Sequence, residues 1–311
     1  MAGRIATCDL GSNSLLLLVV EVGDDGELVR LDERLALTRI GRGVGATGRF
    51  DPAAEAATLD ALSQFVAAAS ALDAGPIQCV ATAGLRDAHP AERERLLAAA
   101  ADRGVDIKVI DGDREADLTA LAVVCSLPDV GDDLWMVDVG GRSTEIVAIR
   151  GGKAVRTSSL SLGGVGLTET LLSQDPPGSA RVEAARSHAA DMLCRLNLDG
   201  DGDEAGLPVV AAGGTATTLA AVLHRIDPYD ADRVHGIRLP LSDLSKGIDL
   251  LADLPLVDLL RMPGLVPGRA DIAVGGAVAL EAAVRHLSAA SFVVSDRGLR
   301  WGLAYEMAGR R

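Results

Sequence analysis

Short apolar runs alternate with glycine-rich polar turns along the chain, and two of those turns share one pattern. Ile5 to Val20 reads IATCDLGSNSLLLLVV, and Leu134 to Ile149 reads LWMVDVGGRSTEIVAI. In each, an apolar run reaches an aspartate, a glycine turn follows, and a second apolar run begins. This predicts paired strands joined by a tight turn, with Asp9 and Asp138 closing the first strand of each pair. The pattern Asp-x-Gly-x-x-Ser recurs, matching Asp9 with Asp138, Gly11 with Gly140 and Ser14 with Ser143. A repeat at this scale suggests a duplicated domain.

The periodicity elsewhere extends that picture. The first half predicts strands at Ile5–Asp9, Ser14–Val22 and Leu28–Thr38, then a helix opened by Asp51 and Pro52 with a buried stripe of Leu59, Leu62, Val66 and Ala69. A strand at Ile77–Ala81, a helix at Pro90–Ala101, a strand at Val105–Ile110 and a helix from about Arg114 to Ser126 follow. The second half starts again with strands Leu134–Val139, Thr144–Ile149 and Val155–Leu160. Helices near Leu167–Ser173 and Ser179–Leu196, a strand at Val209–Ala212 and a helix at Thr215–His224 come next. Ile272–Val274 and Phe292–Val294 read as later strands. Three meandering strands followed by alternating helices and strands is the ribonuclease H-like order. The expected fold is therefore α/β, with two such domains flanking a phosphate-binding cleft. Residues 1–121 form the first and 122–299 the second, with 300–311 packing back on the first.

Composition narrows the function classes. Among 311 residues, aromatics are only 2%, so the cores must be built from Ala, Val and Leu. The net charge of −14 argues against general nucleic-acid binding or an anionic membrane surface, while leaving room for an anionic ligand where positive charge is local. No stretch reaches the ~18 uncharged apolar residues of a spanning helix. Met1 leads almost directly into a strand, so no signal peptide is expected and the location is cytoplasmic. Cys8, Cys79, Cys125 and Cys194 show no Cys-x-x-Cys spacing and read as buried, reduced thiols. The run Asp199 to Asp203 has alternating aspartates but lacks the glycine and closing glutamate of a calcium loop, and reads as a solvated turn. The apolar side of the helix from Ser179 fits domain packing or a dimer seam better than a membrane.

The candidate chemistry gathers at the turns. Gly140 and Gly141 let backbone N–H groups approach an anion, Ser143 and Thr144 add hydroxyls, and Asp138 and Glu145 supply hard oxygen ligands suited to magnesium. A hairpin with a merely polar turn remains the alternative for this stretch alone. Gly213-Gly214-Thr215 joins a strand to a helix start and forms a third candidate anion cradle. Arg86 follows a strand and suits bidentate phosphate contact, or is a solvated loop arginine. Glu115, in the first turn of a helix, is either a general base or an acid that favours the helix dipole.

Together these motifs, in order, resemble the exopolyphosphatase and guanosine pentaphosphate phosphohydrolase family, Ppx/GppA. The residues carrying the resemblance are Asp9-Leu-Gly-Ser-Asn-Ser, Ala81-Thr-Ala-Gly-Leu-Arg-Asp-Ala, Gly112-x-x-Glu-Ala, Asp138-Val-Gly-Gly-Arg-Ser-Thr-Glu and Gly213-Gly-Thr. Val234-His-Gly, Gly264-Leu-Val-Pro-Gly-Arg-Ala-Asp and Ser295-Asp-Arg-Gly-Leu-Arg complete the set. The resemblance implies a member of the actin-like ATPase superfamily that removes terminal phosphate from inorganic polyphosphate, or the 5′ γ-phosphate from pppGpp, using Mg²⁺. It implies that Glu115 prepares the attacking water and that Asp138 and Glu145 hold magnesium. Asn13, Ser14, Arg86, Gly140, Gly141, Ser143, Gly213, Gly214 and Thr215 would bind phosphate; Arg142, inside the same loop, is a candidate phosphate contact of this chain's own. His235, within the motif Val-His-Gly, is expected to support the structure rather than to catalyse, and for the assembly the resemblance implies a homodimer.

Four positions depart from the family's pattern. Arg142 stands where Gly or Ala is usual, and Gly166 where an arginine is common. Either Arg142 supplies the charge that Gly166 lacks, or it obstructs the cradle and alters substrate preference. Arg114 and Trp301 each replace a common acid. Without the C-terminal helical domain of longer relatives, short-chain polyphosphate is the expected substrate. The competing readings are pppGpp hydrolysis at the same site, a weakly catalytic sensor of polyphosphate or (p)ppGpp, and a sugar kinase, the last disfavoured by Glu115.

Overall fold

The computed structural model of the chain describes residues 3–24, 26–196 and 206–310. Residues 1–122 with 299–311 make one compact unit, and residues 123–298 make the other. In the first, strands β1 (Arg4–Leu10), β2 (Leu15–Val22) and β3 (Leu28–Ala36) form an antiparallel meander. Strands β4 (Gln78–Ala81) and β5 (Asp106–Val109) extend it in parallel, in the order β3-β2-β1-β4-β5. Helices α1 (Pro52–Ala71), α2 (Pro90–Ala101) and α3 (Gly112–Ser126) follow the connections between strands. Asp51 starts α1 by accepting the free N–H groups of Ala53 and Ala54 through Oδ1, at 2.8 and 3.0 Å. Alternate residues of β1, Ala6, Cys8 and Leu10, pack with Leu62, Phe65 and Leu96 of the helices.

In the second unit, β6 (Leu134–Val139), β7 (Thr144–Arg150) and β8 (Lys153–Leu160) repeat the meander. Then come α4 (Gly164–Thr170), α5 (Gly178–Leu193), β9 (Val209–Ala212), α6 (Gly213–Leu223), β10 (Arg238–Pro240), α7 (Leu241–Ala252), α8 (Ala273–His286) and β11 (Ser291–Ser295). The sheet order is β10-β11-β9-β6-β7-β8. Without the edge strand β10, this is the order of the first sheet. The repeat reaches detail: the β2–β3 register breaks between Val19 and Val20, and the β7–β8 register breaks between Ala148 and Ile149, equally far beyond Ser14 and Ser143. Two ribonuclease H-like units of common plan therefore make up the chain. A last helix, α9 (Leu299–Met307), belongs to the first unit, where Leu299 and Leu303 pack with Val80 and Leu118.

Several local expectations need correction. Ile272–Val274 is not a strand: Ile272 ends a 3₁₀ turn and Ala273 begins α8, whose residues Ala273 to Val284 are all buried. A helix buried on every side starts with no 3.6-residue stripe, so its start is indistinguishable locally from a buried strand. Helix α4 begins at Gly164 rather than Leu167, and α6 at Gly213 rather than Thr215. Strand β10 and helix α7 went unforeseen. Cys8 and Cys79 are buried, but Cys194 is exposed and Cys125 half-buried; all four are free thiols. The apolar side of α5, Val182, Ala185, Ala189 and Leu193, is covered within its own unit. The acidic run Asp199 to Asp203 lies outside the described residues. Among the described residues, no helix is long and apolar enough to cross a membrane.

Candidate active site

In the first unit the loop Gly11–Ser14 joins β1 to β2 and is closed by Gly11 N–H donating to Ser14 O at 2.9 Å. In the second, Gly140 N–H donates to Ser143 O at the same 2.9 Å. The repeated Asp-x-Gly-x-x-Ser pattern thus encodes one turn twice. Each loop is also strapped from behind. Gly41 N–H donates to Ser12 O at 2.8 Å and Arg39 N–H to Asn13 O at 3.0 Å. In the second unit Gly164 N–H donates to Gly140 O at 3.1 Å, and Val165 N–H to Gly141 O at 2.7 Å. A trans peptide points its N–H opposite its C=O. With the carbonyls held by the straps, the N–H groups of Asn13 and Ser14, and of Gly141 and Arg142, face away from them. These are preorganised donors of the kind that receives an anion.

The straps are themselves a repeat that the sequence reading passed over: Gly41-Arg-Gly-Val-Gly-Ala-Thr47 against Gly163-Gly-Val-Gly-Leu-Thr168. The threonines act alike, Thr47 Oγ1 donating to Gly43 O at 3.0 Å and Thr168 Oγ1 to Gly164 O at 2.8 Å. Gly41 and Gly163 must be glycine, because a Cβ would lie 2.6 Å from Ser12 Cβ in one case and from the Gly141–Arg142 backbone in the other.

The rest of the first unit's set converges on its loop. Gly84 packs against Ser12, where a Cβ would lie 3.0 Å from Ser12 Cα. Two residues on, Arg86 donates from Nη1 to Ile110 O at 2.9 Å and stands 3.7 Å from Glu115 Oε2. Glu115 lies in the first turn of α3, opened by Asp111, whose Oδ1 accepts from Arg114 N at 2.8 Å. Arg86 and Glu115 are thus neighbours, and Gly84 sets the segment before Arg86 against the loop that carries Asn13 and Ser14. Arg114 pairs instead with Glu306 of α9.

In the second unit, Asp138 and Glu145 are direct cross-strand partners on β6 and β7. Neighbouring carboxylates on one sheet face repel, and a shared cation would relieve this. In the first copy the partner of Asp9 is Leu16, so only the second unit carries the acidic pair. Ser159 Oγ donates to Glu145 Oε1 at 2.9 Å. Gly213 opens α6 at φ +82°, where an added Cβ would run into the Asp138 carboxylate. The N–H groups of Gly213, Gly214 and Thr215 are the free donors of that helix start. The Thr215 hydroxyl, however, donates to Val139 O at 2.7 Å, so its proton is committed to the fold.

One residue left out of the expected site belongs to it. The Arg269 guanidinium lies directly against Gly214 and beside Asp138. Burial pulls its pKa below the ordinary value, while Asp138 and Tyr229 oppose the shift. The only sequence signal was an arginine within the motif Gly264 to Asp271. Arg142, by contrast, is 78% exposed and stands 3.6 Å from Glu169 on α4. Gly166 N–H donates to Gly141 O at 3.3 Å, so positions 142 and 166 are close neighbours around one peptide. Among the described residues, no three His, Cys, Asp or Glu side chains gather as a metal site. Two carboxylates alone suit magnesium, which keeps waters and shares phosphate oxygens.

Two other polar groups are explained by support or burial. His235 accepts from Asp296 N at Nδ1 and faces Ser126 O through Nε2, both at 3.2 Å, which selects the neutral tautomer protonated on Nε2. Burial lowers its pKa. It ties the end of α3 to the loop after β11. Asp9 has Oδ1 buried without a hydrogen-bond partner, and burial raises its pKa to about 6, partly offset by Arg300. A carboxyl raised in the folded state favours folding below its unfolded pKa and loses that contribution as pH rises through about 6. Asp9→Asn is therefore expected to raise the thermal midpoint at pH 8 by several degrees, with no gain at pH 4. Equal midpoints at pH 8 would contradict this.

The chain matches known proteins over nearly its whole length. Residues 18–311 match the model of the Ppx/GppA phosphatase family. The chain is 34% identical to exopolyphosphatase 2 of Mycobacterium tuberculosis, covering 98% of this chain and 99% of that protein. It is 27% identical to exopolyphosphatase 1 of Mycobacterium bovis, over 96% and 87% of the two chains. Among solved structures, the Aquifex aeolicus Ppx/GppA protein is 29% identical and superposes with a TM-score of 0.84, over 99% of this chain and 98% of that one.

Proposed function

Because the chain belongs to the Ppx/GppA phosphatase family, we propose that it releases terminal orthophosphate from inorganic polyphosphate by attack of water. Water forms a bond to the terminal phosphorus, the bond to the bridging oxygen breaks, and the shortened chain leaves with that oxygen. Glu115 accepts the water's proton. Its orientation comes from α3 and from Arg86, whose guanidinium also suits the phosphate oxygens. The loop N–H groups hold phosphate in place, and such positioning with charge neutralisation supplies most of the catalysis in phosphoryl transfer.

The observation that carries this reading is the pairing of Asp138 with Glu145 at the rim of a backbone anion cradle. These two carboxylates would hold Mg²⁺, which supplies neutralisation of phosphate charge. Arg269 adds a fixed positive charge beside Asp138.

The test is phosphate release by the purified chain with Mg²⁺, offering tripolyphosphate, long-chain polyphosphate, pppGpp and ATP in parallel. Release from the polyphosphates is expected. Preference for pppGpp would keep the site and change the substrate. Saturable polyphosphate binding with no phosphate released would replace the enzyme by a sensor.

A further inference from the structure

Hydrogen bonding from Arg42 N to Arg39 O at 2.9 Å closes a β-turn over Arg39-Ile40-Gly41-Arg42. The ends of such a turn lie within about 7 Å of each other. Its middle is immobilised: Ile40 is fully buried in the core and Gly41 is seated on Ser12. Arg39 is one of the few non-glycine residues with positive φ, at +54°, a conformation that costs energy and needs a reason. Its backbone N–H is the one that holds Asn13 O. Two exposed arginines are thus carried at the two ends of one fixed backbone turn, next to the loop Gly11–Ser14.

Their charges are unanswered. In a chain with 44 acidic residues against 30 basic ones, neither side chain makes a hydrogen bond or ion pair among the described residues. The neighbouring Arg49 and Arg95, by contrast, act on Glu92. Two guanidiniums carried on one turn can close on a shared anion, which offsets their mutual repulsion, and their planar forks match phosphate oxygens. The second unit has no counterpart, because its strap is one residue shorter at the position of Arg42.

We propose that Arg39 and Arg42 form a separate phosphate-binding position that grips a phosphate of the substrate chain other than the one being removed. The proposal rests on the phosphohydrolase reading for the identity of that chain. It makes the pair a determinant of specificity for linked phosphates over a single one.

The experiment uses the full-length Glu115→Gln protein, so that ligand persists, and the same protein with Arg39→Asn and Arg42→Gln added. Asparagine tolerates the left-handed backbone at position 39, so the fold is retained. Calorimetric titration with tripolyphosphate, long-chain polyphosphate, GTP and inorganic phosphate is compared. The added substitutions are expected to weaken both polyphosphates about 10- to 100-fold, as for two charge-assisted contacts, and to leave inorganic phosphate little changed. Arg42→Lys should restore part of the loss, since charge remains but the fork does not.

Unchanged polyphosphate affinity, or an equal loss for inorganic phosphate, would overturn the proposal, as would a loss confined to GTP or no polyphosphate binding before the arginines are changed. A phosphate-release assay on the unsubstituted protein separates the two readings. No turnover together with the arginine-dependent loss would sink the hydrolase and keep the binding position. Turnover with no such loss would do the reverse.

Discussion

Glu115→Gln is expected to lower kcat for phosphate release by about a hundred- to ten-thousand-fold, the range for removal of a positioned general base. The substitution keeps the shape of the side chain and removes its capacity to take a proton. Binding should persist, because Arg86 and the loop N–H groups remain in place. Stability should fall by less than about 1 kcal/mol, since the Arg86–Glu115 pair is partly exposed and loosely spaced at 3.7 Å. Single-turnover phosphate release and equilibrium binding, measured on the same preparation, separate these effects. A variant that retains normal turnover would remove Glu115 from the mechanism.

Gly213→Ala should be nearly as damaging, for a different reason. At φ +82° an L side chain is strained by roughly 1–2 kcal/mol, and its Cβ would occupy the place of the Asp138 carboxylate. Asp138 cannot retreat along β6, because its backbone is paired with Glu145 on one side and Ala212 on the other. The carboxylate must rotate out of register with Glu145. Activity at low Mg²⁺ should then drop by about a hundredfold or more, equivalent to about 3 kcal/mol, with partial recovery at high Mg²⁺. Gly11→Ala is the control: a Cβ there meets only Ser14 O, at 3.5 Å, and should cost little. An unaltered Mg²⁺ dependence in Gly213→Ala would argue against Asp138 as a magnesium ligand.

The two glycines look alike in sequence, since both follow a strand that ends beside an aspartate or alanine. What separates them is the neighbour that the fold brings up. The same holds for Thr215, whose hydroxyl reads as a phosphate donor but is used on Val139 O. It also holds for Arg142, which reads as part of the cradle yet points its charge toward Glu169.

The sequence by itself determined most strands and helices, the Asp51 cap and the two loops with their acids. Those features depend on contacts within a few residues: alternation of apolar side chains, an aspartate oxygen reaching N–H groups two and three positions on, a glycine closing a four-residue turn. It also held the strap repeat, legible once Gly-x-Gly-Val-Gly and Gly-Gly-Val-Gly are set side by side. Only the tertiary structure decided that Ile272–Val274 leads into a buried helix, that Arg269 stands over Gly214, and that Arg39 and Arg42 share one turn with no acidic partner among the described residues. Each of these depends on which distant segment fills the space opposite, and close packing settles that for the whole unit at once.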